Sequence, residues 1–158
     1  MDARRDEGAA AVEFAIVSVL LFTILFGIIQ YGYAFFQIQS AESVAREAAR
    51  LASVGITECT DGGDPRQESP PVSFVGSVLA RADGAGLDNA RVTSVSVVWD
   101  DGLNGTTAVR GGTATVTITY APTRLDIVPF PSGDFTAKGQ ARVEDLGRQV
   151  DPCTWPGP

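Results

Sequence analysis

The first long apolar segment of the chain, residues 9–29, contains a single charged residue, Glu13. At about 20 residues, it is long enough to cross the hydrocarbon core of a bilayer as a helix. A buried helix of a soluble protein would show a polar stripe, and residues 14–29 show none. Tyr31 and Tyr33 follow where an interfacial aromatic belt should lie. The pattern therefore predicts a transmembrane helix.

The apolar positions that follow are confined to one face of a helix. Small and apolar residues recur at spacings of three and four, and most of the polar residues between them fall on the remaining surface. This pattern predicts an amphipathic continuation of the same helix, with a small-residue stripe suited to close packing, and a stop at Gly55. The stripe comprises Ala34, Ile38, Ala41, Ala45, Ala48 and Ala52, and the surface set comprises Gln37, Gln39, Glu42, Arg46, Glu47 and Arg50.

Beyond the helix, the pattern predicts a loop over residues 57–71, a short helix over 72–81, and strands over 91–99, 113–120 and 135–143. In the first strand, Val95 and Val97 share one face, and Val92 and Val98 fall on the other. The tail, residues 151–158, is interpreted as irregular. Its Trp155 either packs locally, covers the sheet edge or contacts another subunit.

The fold class that these elements favour is α+β. The second strand alternates cleanly, and such a strand has one face to bury. We expect a long N-terminal helix, with a transmembrane half and an amphipathic half, packed on a small antiparallel β-sheet. The face of the second strand predicted to be buried comprises Ala114, Val116, Ile118 and Tyr120.

Composition narrows the chemistry available to the 158-residue chain. Its formal net charge is −7, and phosphate binding needs clustered Lys and Arg, so no nucleic-acid partner is expected. The absence of histidine removes the commonest general base and the commonest zinc ligand. Asp-Gly-rich stretches at residues 61–64 and 100–104 do not match a calcium-binding loop and are ordinary turn sequences. We therefore expect no enzyme activity, no catalytic residue, no cofactor and no metal.

The two cysteines, Cys59 and Cys153, lie far apart in the sequence. In an exported domain they are expected to form one disulfide, which would join the end of the helical region to the C-terminal tail. The alternative is a pair of buried free thiols.

Glu13 requires an explanation, because a carboxylate in hydrocarbon costs several kcal/mol unless it is paired, protonated or near the surface. In one interpretation, Glu13 lies close to the interface and reaches water. In the other, the chain is cut after Gly8, and Glu13 neutralises the new amine on Ala9 of a neighbouring subunit. Such a pair in a low-dielectric bundle would select for insertion and would set the axial register.

Three stretches of sequence carry a resemblance to a known family. They are Glu-Gly-Ala-Ala-Ala-Val-Glu-Phe-Ala-Ile-Val at residues 7–17, Phe-Gly-Ile-Ile at 26–29 and Ala-Arg-Glu-Ala-Ala-Arg at 45–50. Together they resemble the TadE-like family, which are minor pilins or pseudopilins of the tight-adherence (Flp-type) pilus, a branch of the type IV pilus superfamily. A TadF-like relative shares the same N-terminal features and remains an alternative. The resemblance implies cleavage between Gly8 and Ala9 by a prepilin peptidase, and an assembly role for Glu13 beside Phe14.

The resemblance also implies an organisation and a set of partners. Residues 1–8 would form a leader, 9–55 a transmembrane and assembly helix, and 56–158 an exported α+β domain. The resemblance implies a single-pass protein of the bacterial inner membrane, with possible extracellular placement in the pilus. Arg4 and Arg5 precede the apolar segment, so the positive-inside rule predicts a cytoplasmic N-terminus and an exported C-terminal domain. Expected partners are the membrane, the prepilin peptidase, major and minor pilin subunits, and the pilus assembly platform. The alternative is a membrane-anchored extracellular binding domain that does not polymerise.

Overall fold

The computed structural model describes residues 3–55, 58–60, 62–102, 109–123, 133–144 and 152–157. Its backbone forms two compact units. The first is built on the helix α1 (Ala3–Ser53) as far as Phe35, and the second begins at Phe36. The second unit also contains α2 (Phe74–Gly84), a short 3-10 turn (Asn89–Arg91), and the strands β1 (Val92–Asp100), β2 (Thr113–Tyr120), β3 (Phe135–Arg142) and β4 (Cys153–Trp155).

Helix α1 ends where its sequence predicts. Gly55 adopts a positive φ of 82°, which disfavours other residues, and its N–H donates to the carbonyl of Ala52 at 3.2 Å. The residues of the predicted stripe are buried except Ile38, which is only half-buried, and those from Ala41 onward lie in the second unit, where Val44 and Ala49 extend the stripe. One expectation is wrong: Gln37 is 1% exposed rather than on the surface. Three or four residues separate Gln37 from Ala34 and Ala41, so helical geometry puts it on the buried face despite its polarity.

The second unit contains one antiparallel sheet, with the strand order β3-β2-β1-β4. The prediction of an irregular tail is wrong for its central residues, because Cys153–Trp155 form β4 and pair with Val95–Val97 of β1. Three residues between two prolines are too few to show an alternating pattern. This strand forms because the edge of β1 offers unpaired backbone groups with which it can hydrogen-bond.

The buried face of the sheet follows the predicted alternation in β2. In β3, the buried residues Ala137 and Gly139 alternate with exposed ones, and Val143 continues this pattern just past the strand. In β1, the expectation that Val92 lies opposite to Val95 is wrong, since both side chains are fully buried. A shift in the pairing register between Val92 and Ser94 marks a β-bulge, and one extra residue in a strand reverses the facing of those before it.

The amphipathic half of α1 packs on this sheet so closely that backbones touch. A Cβ placed on Gly139 of β3 would overlap the carbonyl group of Ala45 in α1. Alanine on the helix and glycine on the strand together permit this approach, because neither has a side chain long enough to separate the two elements. The structure confirms the α+β class, with a long N-terminal helix packed on a small antiparallel sheet.

Helix α2 supplies the rest of the core through its apolar face. It begins at Phe74, two residues later than predicted, because Ser73 is its N-cap and accepts a hydrogen bond from the N–H of Gly76 at 2.9 Å. The buried residues of this face are Phe74, Val75, Val78, Leu79 and Ala82.

Candidate assembly and membrane-spanning site

The N-terminal half of α1 exposes large apolar side chains around its whole circumference. Between Val12 and Ile29 their exposed fractions run from 40% to 74%, and Phe14 has the highest value. An 18-residue window in this helix has a mean hydropathy of 2.6, so the helix is long and apolar enough to cross a membrane. A continuous apolar surface of this size marks an interface with lipid or with other protein chains.

The two hydroxyl side chains of this segment are satisfied by the helix itself. Ser18 donates from Oγ to the carbonyl of Ala15 at 2.9 Å, and Thr23 donates from Oγ1 to the carbonyl of Val19 at 2.8 Å. Because these hydrogen bonds lie within the helix, neither hydroxyl needs water as a hydrogen-bond partner. Glu13 differs from both, since it has no hydrogen-bond or ion-pair partner in the described part of the chain.

The four residues predicted for processing and assembly lie close together on α1. Gly8, Ala9, Glu13 and Phe14 are all exposed. Four residues of helix separate Ala9 from Glu13, which places them on one face and about 6 Å apart along the axis. Apart from the neighbouring residues and backbone of the helix itself, no described heavy atom lies within 4 Å of the position of a Cβ on Gly8. Glycine within a helix costs about 1 kcal/mol relative to alanine, so this turn is among the easier ones to open.

The disulfide between Cys59 and Cys153 is formed, with a Cα–Cα distance of 5.7 Å, which excludes the alternative of free thiols. It ties the loop before α2 to β4. Trp155 packs locally beside it: the guanidinium carbon of Arg66 lies 4.6 Å from a ring centroid of the tryptophan. Arg66 also donates to the carbonyl of Val92 at 3.0 Å, joining the loop to β1. No sequence pattern singles out Arg66, because its partners are distant in the chain.

The carboxylate of Glu68 lies at the N-terminus of α2. Glu68 accepts hydrogen bonds from the N–H groups of Val72 and Ser73, both at 2.9 Å, and from the hydroxyl of Ser73. Desolvation raises the pKa of Glu68, but these hydrogen bonds outweigh it and hold the pKa below its ordinary value of 4.5. Glu68 therefore stays ionised at neutral pH and caps the helix.

Among the described residues, no group of three or more His, Cys, Asp or Glu side chains is placed so that it could hold a metal ion. Asp61, at the start of the first Asp-Gly stretch, lies outside those residues. In the second stretch, Asp100 accepts a hydrogen bond from the N–H of Gly102 at 2.8 Å, which is the turn that the sequence predicts.

Residues 8–50 match the family model for TadE-like proteins. The chain carries a TadE-like segment. The match begins at Gly8 and ends in the last turn of α1, so it covers the apolar surface and the packed alanine face but not the sheet. It confirms the resemblance over these residues. No curated protein and no solved structure matches the chain.

Proposed function

We propose that this protein is a minor pilin or pseudopilin of a tight-adherence pilus, processed by a prepilin peptidase and assembled through its N-terminal helix. The observation that carries the proposal is the coincidence of two features: the TadE-like match over residues 8–50, and within it an exposed apolar segment, residues 9–29, whose single carboxylate is Glu13. A structural role also accords with a chain that lacks histidine.

In the proposed mechanism, cleavage between Gly8 and Ala9 creates a charged amine next to apolar sequence. Glu13 of a neighbouring subunit neutralises that amine within the helix bundle. Each charge alone would be costly in a low-dielectric bundle, so an incorrectly placed subunit is disfavoured by the free energy of an unpaired charge, about 3–5 kcal/mol. The surrounding apolar side chains pack against neighbouring helices and, before assembly, against lipid.

The proposed orientation has a cytoplasmic N-terminus and an exported second unit. Two features support it: Arg4 and Arg5 precede the apolar segment, and disulfides persist in oxidising compartments outside the cytoplasm. In this arrangement the prepilin peptidase acts at the cytoplasmic face. The membrane, other pilin subunits and the assembly platform are the remaining proposed partners.

Processing is tested by the N-terminal mass of the membrane-extracted protein, with and without a cognate prepilin peptidase. We expect a peptidase-dependent start at Ala9, which Gly8→Leu abolishes. Gly27→Leu is a matched control, since Gly27 lies in the same apolar helix and also has no heavy atom near its Cβ position. Unchanged processing of the Gly8→Leu variant would place the cut elsewhere.

Assembly is tested with Glu13→Ala, which we expect to insert into the membrane normally and to fail to enter the pilus. Ser18→Ala is the control, because it removes another polar group from the same segment whose hydrogen bond lies within the helix. Sheared pili and membranes are compared for their content of each variant. Normal piliation by the Glu13→Ala variant would show that assembly does not require the pairing of Glu13 with the amine of a neighbouring subunit. An unprocessed chain that stays in the membrane would instead favour an anchored binding domain.

A further inference from the structure

The four-stranded sheet has a long open edge, which is the outer side of β3. The opposite edge, on β1, is covered along its middle by β4. Strand β3 is eight residues long, pairs with β2 without a break in register, and contains no proline. An edge of this kind offers a row of backbone N–H and C=O groups to which another strand can hydrogen-bond.

The pairing with β2 shows which backbone groups of β3 face outward. Just past the strand, Val143 directs its N–H to the carbonyl of Gly112 and its carbonyl to the N–H of Gly111, both at 2.9 Å. Successive residues of a strand direct these groups to alternate sides. Every second residue of β3 therefore directs its N–H and C=O outward, and none of these groups hydrogen-bonds to a described residue. The outward residues are Thr136, Lys138, Gln140 and Arg142.

The side chains of these four residues are exposed on the face of the sheet opposite to α1, and two of them are cationic. Lys138 is the single lysine of the chain; it lies opposite Thr117 of β2, and its other neighbours on this face of β2 and β3 carry no charge. Arg142 lies at the end of the strand, with its guanidinium group beside Gly111. Neither cation forms an ion pair with a described residue. A strand added to β3 would gain from carboxylates opposite these two positions.

A second copy of this chain fits the edge poorly. If two β3 strands paired antiparallel about Gly139, the two copies of α1 that touch this glycine would lie about 5 Å apart, whereas packed helices need about 8–10 Å. The next register on either side would place Lys138 opposite a second Lys138 or opposite Arg142, and like charges in such positions are destabilising. The edge therefore favours a single extended segment that carries no helix on the α1 side.

We propose that the outer edge of β3 is a docking site for an extended acidic segment of a partner protein, which adds to the sheet as an antiparallel strand. Backbone hydrogen bonds supply affinity in this mode of recognition. Carboxylates four residues apart in the segment would lie opposite Lys138 and Arg142 and would fix its register. The residue opposite Gly139 must be small, because the backbone of α1 approaches the sheet there. This docking site is independent of whether the chain polymerises.

The test uses the full chain in detergent micelles, with the disulfide intact, and the capped peptide Glu-Val-Thr-Ala-Glu-Val-Thr. In the proposed register, its first and fifth residues lie opposite Arg142 and Lys138. Calorimetric titration compares the peptide with two N-methylated forms. Methylation of the third and fifth residues removes N–H groups that face β3, whereas methylation of the fourth and sixth removes N–H groups that face away. We expect the first form to bind at least about tenfold more weakly than the second. Equal binding of the two forms, or no binding of the unmodified peptide at about 1 mM, would overturn the proposal.

Two substitutions at Gln140 test the edge from the side of the protein. Gln140→Pro removes an outward N–H, and proline is tolerated on an edge strand at such a position. Gln140→Ala is the matched control, because both changes remove the hydrogen bond from Nε2 of Gln140 to Oγ1 of Thr115 at 3.2 Å, but only proline removes the backbone donor. We expect at least about tenfold weaker binding by the proline variant than by the alanine variant, with similar urea midpoints. Equal binding by two folded variants would refute docking at this edge.

The charge preference is tested with Lys138→Gln, which we expect to weaken the acidic peptide by about three- to tenfold. Binding of the neutral peptide Gln-Val-Thr-Ala-Gln-Val-Thr should not change in this variant. Arg81→Gln is the control, because it removes one positive charge from α2, which packs on the other face of the sheet. An equal loss in the Arg81→Gln variant would show attraction to bulk charge alone and would overturn the assignment to an acidic segment.

Discussion

Replacing Gly139 by alanine places a methyl group where α1 and β3 touch. Gly139 pairs with Val116 midway along the edge strand β3, and its added Cβ would overlap the backbone of Ala45, a fully buried residue of the helix. Backbone atoms cannot rotate away as the end of a flexible side chain can. Relief of the overlap therefore requires the helix to move away from the strand, which opens gaps among the neighbouring alanines.

The expected change in the free energy of unfolding follows from two opposing contributions. Overpacking a well-packed core by a methyl group costs about 1–3 kcal/mol. Alanine in place of glycine recovers about 0.5–1 kcal/mol, because it restricts the unfolded chain. Since backbone rather than side chain must yield, we expect the upper part of the first range. The free energy of unfolding should then fall by about 2 kcal/mol, and the Tm by roughly 4–8 °C.

Urea unfolding of the oxidised chain in micelles, followed by the fluorescence of the buried Trp99, measures this change. Gly84→Ala is the control, because Gly84 ends α2 and no heavy atom lies within 4 Å of its Cβ position. We expect that control to match or slightly exceed the wild-type stability. A Gly139→Ala variant as stable as the control would refute the direct contact between helix and strand.

Three other contacts in the second unit should each carry a measurable share of its stability. Replacing Cys59 and Cys153 by serine opens a link across 94 residues, which should cost up to about 4–5 kcal/mol and speed proteolysis; an unchanged urea midpoint would contradict this. The lowered pKa of Glu68 means that its stabilisation is present above the ordinary pKa of 4.5 and is lost as pH falls through the folded-state pKa. Glu68→Gln should therefore destabilise the protein near about pH 7 but much less near about pH 3, and a pH-independent difference would count against the capping role. Trp155→Leu removes the ring beneath Arg66 and should cost about 0.5–1 kcal/mol in urea unfolding, so no change would show that the cation–π contact contributes nothing.

The candidate assembly site is recognisable from the amino-acid sequence, because its signals are local. The length of an apolar segment, one acid within it and a glycine five residues earlier are all read along the chain. The fold adds that this surface is exposed on every side of the helix and that Ser18 and Thr23 are satisfied internally. Glu13 is thereby set apart from the other polar residues of its segment.

The errors in the sequence-based description share a physical origin. Polarity suggested that Gln37 lies on the surface, although its angle on the helix puts it on the buried face. Alternation put Val92 opposite to Val95, although a bulge brings both to the same side. In each case, the position of a neighbouring element outweighed the local preference of one residue.

Hydrophobic periodicity alone determined the long helix, the alanine stripe, the three longer strands and the α+β class, because 3.6-residue and two-residue repeats are properties of single elements. Contacts between distant segments were decided only by the tertiary structure. These include β4 on the edge of β1 and Gly139 against Ala45. Such contacts depend on which elements become neighbours in the fold. The hydrophobic pattern within a single element does not indicate which other element will pack against it.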